Sequence, residues 1–130
     1  VTSFVEVARR EKLQELARRG VAAYAYRFER SGHVRPAHDG FRDGDETVHR
    51  LAGRLVALRP HGKTTFGHLA DDSGRIQVYC KIDVVGADAY EVVKLLDLGD
   101  VVGVEGPLFR TRSGEVTVRV QRLTLLAKAL

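Results

Sequence analysis

The tightest constraint on this chain is a two-residue periodicity across residues 63–81, KTTFGHLADDSGRIQVYCK. Ile76, Val78, Cys80 and Ile82 alternate with Arg75, Gln77, Tyr79 and Lys81, and a period of two puts the two sets on opposite faces of a strand. On the preceding arm Leu69 shares a face with Gly67 and Thr65, while Phe66 and His68 take the other. Asp71, Asp72, Ser73 and Gly74 lie between the arms, and these are the residue types of a tight reversal. The segment is a β-hairpin. With its apolar set against a core, Phe66 and His68 lie on the outer face with Gln77, Tyr79 and two cations. An outward ring beside an amide and guanidinium groups is how single-stranded bases are stacked and read. A one-residue slip of the first arm would turn Phe66 inward instead, and the pattern alone leaves that alternative open.

Around this hairpin the chain supplies one domain's worth of material: 130 residues, 44% apolar and 29% charged, the proportions of a folded globular domain. The net charge of +4 is carried mostly by arginine, whose planar fork suits phosphates and stacks on bases. A charge of this size is compatible with a nucleic-acid partner without requiring one. The single cysteine, Cys80, excludes an intrachain disulfide and fits a reducing compartment. No apolar run reaches the roughly 18–20 residues of a membrane span and no signal-peptide pattern opens the chain; the expectation is a soluble cytoplasmic domain. His33, His38, His49, His61 and His68 are scattered without ligand spacing, so no metal site is expected. A Ser-His-Asp arrangement, a carboxylate pair on rigid strands and a P-loop are all missing, and no catalytic residue is assigned.

Residues 3–19 read as an amphipathic helix, with Ser3 as N-cap, Glu6 at the capping-box spacing, Val5, Ala8, Leu13, Leu16 and Ala17 as an imperfect apolar stripe, and Gly20 as the stop. Tyr24, Tyr26 and Phe28 form an extended aromatic segment that pins this helix to the domain, and 29–46 reads as a connecting loop with little regular structure. Strand patterns follow at 47–59, 65–71, 74–82, 100–109 and 115–126, with a helix at 85–97 whose Val85, Ala89, Val92, Val93 and Leu96 share a face and which Gly99 closes. On the last strand Val116, Val118 and Val120 alternate with Glu115, Thr117, Arg119 and Gln121, the polar set outward. Five strands with a helix between the third and fourth is the order of a Greek-key oligonucleotide-binding (OB) barrel. The division is a helix and connecting segment over 1–46, packed on a mainly β, five-stranded barrel over 47–130.

The wording of the chain goes beyond a generic barrel. GRLVALRPHGKTTFGHLADDSGRIQVY, KLLDLGDVVGVEGPLFRTRSGEVTVRV and LTLLAKAL, within 53–130, closely resemble the N-terminal anticodon-binding domain of class II lysyl-tRNA synthetases, and upstream the KLQEL helix and YAYRF are similar to the helix and YPYRF segment of that family. The resemblance covers nearly the whole chain. Aspartyl- and asparaginyl-tRNA synthetases share the Phe-to-Gln spacing but not the GPLFRTRSGE and LTLLAKAL wording. Ala23, Ala25 and Ala70 depart from the family's usual residues.

The resemblance implies that Phe66 stacks on the central uridine of a UUU or CUU anticodon, that Gln77 reads that base, and that Arg59 and Glu115 are further readers. His68 borders the site, and Arg54 and Arg119 are candidates for contact with the RNA backbone. Plainer roles stay open for two of these: Arg59 as a surface cation, and Glu115 as the partner of Arg112 or Arg119. Lysine tRNA is the implied partner. ATP, lysine and magnesium belong to a catalytic domain outside these residues, so the expectation is that the chain needs no cofactor of its own and is inactive alone as a fragment of a ligase, with a standalone gene product as the open alternative. Full synthetases of the family are homodimers. The rival functions are a general single-strand binder using the same face, and an OB module that docks proteins.

Overall fold

The computed structural model describes residues 4–20 and 28–130. Its sheet closes because one long strand pairs twice. β1 (Val48–His61) runs antiparallel to β4 (Val101–Arg110) along its first half, Val48 opposite Pro107 through Arg54 opposite Val101. Its second half pairs with β2 (Thr64–Asp71), from Arg54 opposite Ala70 to His61 opposite Thr64. At the changeover the register slips between Leu55 and Ala57, and a bulge of this kind bends a strand sharply enough to turn a barrel corner. A Cβ on Gly53 would come within 2.4 Å of the Ala70 carbonyl oxygen, so only glycine lets the two strands approach there.

β2 and β3 (Gly74–Lys81) form the hairpin read from the alternation, with Leu69 opposite Ile76 and Gly67 opposite Val78. β3 then pairs in parallel with β5 (Val116–Arg119), which runs antiparallel to the end of β4. β6 (Arg122–Ala127) continues along the same edge of β4 from Glu105 to Val101. The expected single strand over 115–126 is therefore two, bent at Val120 and Gln121, whose amides donate to Tyr79 O at 3.0 Å and Glu105 O at 2.8 Å. The bend presses β5 against Gly106, where a Cβ would lie 1.9 Å from the Arg119 carbonyl oxygen. With β5 and β6 taken as one bent strand, this is the five-stranded barrel.

Inside lie Leu51, Leu55, Leu69, Ile76, Val78, Cys80, Val102, Val104, Val118 and Val120, all buried. This is the apolar half of each alternating strand. Between β3 and β4 the expected helix over 85–97 starts earlier and is broken: α3 is Ile82–Val85 and α4 is Ala87–Val93, separated by Gly86 at φ 93°. Tyr90, Val93 and Leu96 close the barrel end, and the buried Tyr90 hydroxyl meets Thr65 Oγ1 at 2.8 Å.

The segment read as a loop over 29–46 contains a helix, α2 (Val34–Gly40). Its first turn is held from outside: Asp71 Oδ2 accepts the Val34 N–H at 2.9 Å and Ser73 Oγ accepts the Arg35 N–H at 2.9 Å. The β2–β3 turn thus does the work of an N-cap, and Val34 is fully buried.

The N-terminal helix is α1 (Phe4–Arg18). It docks differently from the apolar stripe expected of it. Leu16 is buried and Leu13 half-buried, but Val5, Ala8 and Ala17 are exposed. Leu16 contributes about 1.5–3 kcal/mol by burial, and ions hold the rest: Lys12 pairs with Asp97 at 2.7 Å and Arg9 donates to Leu98 O at 3.1 Å. Asp97 also meets Lys128, which pairs at 2.7 Å with the fully buried Asp100. The Ser3 cap, Tyr24 and Tyr26 lie outside the described residues; Phe28 carries the Arg50 guanidinium over its ring at 4.8 Å.

Candidate nucleic-acid interface

Because β1, β2, β3 and β5 are neighbours in the barrel wall, the outward residues of all four meet on one face. Two rows cross the strands. In the first, Arg59 is opposite Phe66, Phe66 opposite Tyr79 and Tyr79 beside Arg119. In the second, Ala57 is opposite His68, His68 opposite Gln77 and Gln77 beside Thr117, which is opposite Phe109. The hairpin is in the register that keeps Phe66 out of the core, with Leu69, Gly67 and Thr65 buried and Phe66 half-buried. The slip alternative is ruled out.

The first row is aromatic and cationic. The Phe66 and Tyr79 rings are stacked with centroids 4.7 Å apart and planes 22° apart. Tyr79 leans on Phe109 at 6.0 Å, and Arg119 lies over the Phe109 ring at 4.3 Å. Cross-strand aromatic contacts of this kind are worth about 0.5–1.5 kcal/mol each, and they hold the rings upright on the sheet.

The second row is polar and partly sunken. Gln77, expected to point into solvent, lies on the outward side but is only 7% exposed. Its Nε2 donates to Thr117 Oγ1 at 3.1 Å and its Oε1 accepts from Arg59 Nη2 at 3.5 Å. Thr117, also expected outward, is fully buried. The cause is the curvature of the closed sheet: β3 and β5 are adjacent and parallel, and the longer side chains around them crown these two positions. His68 Nε2 meets Glu115 Oε1 at 3.2 Å, a pair whose net contribution at such exposure is about 0–1 kcal/mol. Glu115 therefore pairs with a histidine rather than with Arg112 or Arg119.

Of the seven residues singled out from the sequence, the structure brings six together: Phe66, Gln77, Arg59, Glu115, His68 and Arg119. Arg54 is set apart. It faces Ala70, four residues along β2 from Phe66, and its Nη1 donates to Gly99 O at 2.7 Å. Tyr79, Phe109 and Thr117 belong to the same face and were not singled out. Phe109 carried a signal in its alternation, an apolar side chain between buried Leu108 and exposed Arg110.

Two other groups have the chemistry of a site without its availability. Burial pushes the Cys80 thiol up to about 12, which keeps it protonated and a poor nucleophile or ligand at neutral pH. His33, Asp71 and Asp72 bring ligand atoms within 4.8 Å of one another, a grouping that sequence spacing did not reveal. The Asp71 carboxylate is already committed. Burial opposes its charge, but hydrogen bonds from the Ser73 hydroxyl and from the Val34, Ser73 and Gly74 amides outweigh burial and hold its pKa below the ordinary value.

No helix among the described residues is long and apolar enough to cross a membrane. The barrel from within β1 to within β6, residues 49–126, matches the tRNA anti-codon family model, described as an OB-fold nucleic acid binding domain. The chain is also similar to lysine–tRNA ligases. It is 42% identical to that of Pelotomaculum thermopropionicum over 122 residues, 94% of this chain and 24% of the ligase. It is 43% identical to that of Moorella thermoacetica over 122 residues, 94% of this chain and 25% of the ligase. With the ligase of Syntrophomonas wolfei the identity is 39% over 128 residues, 98% of this chain and 26% of the ligase. The chain thus spans about a quarter of the length of these curated relatives. A barrel closed in the OB order, an outward aromatic and polar face, and a family match running from its first strand to its last agree: this chain belongs to the tRNA anti-codon family of OB-fold nucleic acid binding domains.

Proposed function

We propose that this chain binds the anticodon loop of lysine tRNA and reads a uridine at its centre through Phe66 and Gln77. The observation that carries the reading is the largely buried Gln77 amide, held between Arg59 and Thr117 beside the stacked Phe66 ring. Tyr79 covers one side of Phe66, so the base stacks on the other, for about 1–3 kcal/mol without preference among bases. Selectivity comes from the amide. Gln77 Oε1 accepts the uracil N3–H, while the Arg59 guanidinium and the second Nε2 proton donate to ring carbonyls. Cytosine offers an acceptor at N3 and meets Oε1 with no proton between them. A paired contact of this kind discriminates by about 1–3 kcal/mol. Glu115, steadied by His68, accepts a hydrogen bond from the N–H of a neighbouring base, and Arg119 contacts phosphate or sugar.

In a full-length lysine–tRNA ligase this domain would hold the anticodon arm, while the rest of the enzyme, a homodimer in the cytoplasm, carries out the chemistry. ATP and magnesium belong to that remainder; no residue described here is assigned to either.

The test is the affinity of the chain for RNA stem-loops with UUU, CUU or CCC at the anticodon position, at one fixed moderate salt concentration because phosphate contacts make affinity salt-dependent. The expected result is a clear penalty for CCC that Gln77→Ala narrows. Equal affinities would make this a general single-strand binder. Loss of all binding even at low salt would favour a protein-docking barrel.

A further inference from the structure

We infer that Thr117 fixes which way round the Gln77 amide faces a base, and thereby sets the preference for uracil over cytosine; the inference rests on the uridine reading proposed above. Thr117 is fully buried on β5, directly beside Gln77 across the parallel β3–β5 pair. A hydroxyl has one proton to give. That of Thr117 goes to the Glu115 carbonyl oxygen at 3.0 Å, which leaves its oxygen available to Gln77 only as an acceptor. Gln77 Nε2 donates to it at 3.1 Å. On the other side the Arg59 guanidinium, which has donors and no acceptor, reaches Gln77 Oε1 at 3.5 Å. Both neighbours demand the same orientation: nitrogen toward β5, oxygen toward β1.

The opposite orientation is poorer. It sets Nε2 against the guanidinium, donor to donor, and Oε1 against Thr117. The hydroxyl can then bond Oε1 only by turning away from the Glu115 carbonyl, which keeps the Thr111 N–H at 3.0 Å. The observed arrangement has three hydrogen bonds, Gln77 to Thr117, Thr117 to Glu115 and Arg59 to Gln77; the inverted one keeps a single Thr117-to-Gln77 bond. This matters because the two pyrimidines differ by that inversion. Uracil needs an acceptor opposite N3–H, whereas cytosine needs a donor opposite N3 and an acceptor for its amino group. An amide free to turn over serves both bases, and a held one serves uracil. Thr117 touches no base in this scheme; it is a positioning residue acting through Gln77.

The experiment measures dissociation constants of the 130-residue chain for RNA stem-loops differing only as UUU against UCU, with Thr117→Val and Thr117→Ser beside the wild type. Valine keeps the shape and the β-branch that suits a strand, and a thermal unfolding curve checks that each variant is folded. The expected result is a wild-type preference for UUU that falls about three- to tenfold in Thr117→Val, one hydrogen bond's worth of bias. Thr117→Ser, which keeps the hydroxyl, retains the wild-type ratio. An unchanged ratio in Thr117→Val, an equal loss of affinity for both loops, or a Thr117→Ser ratio matching Thr117→Val would each overturn the inference while leaving the uridine reading in place. A wild-type chain that binds UUU and UCU equally overturns the uridine reading and this inference with it.

Discussion

Replacing Phe66 by alanine separates the work of this ring in the fold from its work in binding. A fully buried Phe→Ala change costs about 3–5 kcal/mol. Phe66 is half-buried, and its chief intramolecular contact is the stack on Tyr79. The expected loss of stability is therefore about 1–2 kcal/mol, the stack plus part of the burial. Binding should lose the base stack, about 1–3 kcal/mol, which is roughly a five- to 150-fold weaker dissociation constant. Leu69 is the matched control, three residues along the same strand but fully buried on the other face. Leu69→Ala should lose about 2–5 kcal/mol of stability, yet bind normally wherever it remains folded. Urea unfolding gives the stabilities, and fluorescence anisotropy with a labelled UUU stem-loop gives the affinities. The reasoning is refuted if Phe66→Ala is destabilised as much as Leu69→Ala while its folded molecules keep wild-type affinity.

Two further outcomes concern the frame around the site. Lys128→Ala leaves Asp100 buried without its cation and should cost about 3–5 kcal/mol in chemical denaturation; a loss under about 1 kcal/mol would mean that the charge is solvated. In acid, the Asp71 and Asp97 carboxylates, both held below their unfolded value of 3.8, stabilise the fold above that pH and lose this contribution as the pH falls through it toward the folded pKa, because the unfolded chain then binds more protons. Thermal midpoints across this range should fall more steeply for the wild type than for Asp71→Asn, and parallel curves would contradict that assignment.

How much of this was legible from the chain depends on whether the cause was local. The hairpin was legible because one face of it is buried, so alternation along Ile76, Val78 and Cys80 marks the core face of its second arm, whereas the side on which Phe66 stands depends on the pairing register of the first arm, which the pattern left open. Helix α2 was not. His33, Pro36, His38, Asp39 and Gly40 argue for a loop, and what makes the segment helical is a carboxylate supplied by Asp71 from 37 residues away. The same holds for α1, whose stripe predicts an apolar seam, whereas among the described residues Leu16 is its buried side chain and Lys12 and Arg9 tie it to Asp97 and Leu98. Gln77 and Thr117 look like solvent-facing polar residues on any one strand. Only the parallel adjacency of β3 and β5 sinks them, and no period in the sequence carries that pairing. The split of the last strand was not legible either, because its reason, the approach of the Arg119 carbonyl to Gly106 on β4, is again tertiary.

The most direct measurement is an amide chemical-shift map of the chain titrated with a UUU stem-loop. The largest changes are expected at Arg59, Phe66, His68, Gln77, Tyr79 and Glu115, across β1, β2, β3 and the residue that leads into β5 on one barrel face, with little change in α2 or along the exposed side of α1. Perturbations gathered on α1 or α2, with the Phe66 and Gln77 signals unmoved, would contradict the proposed interface.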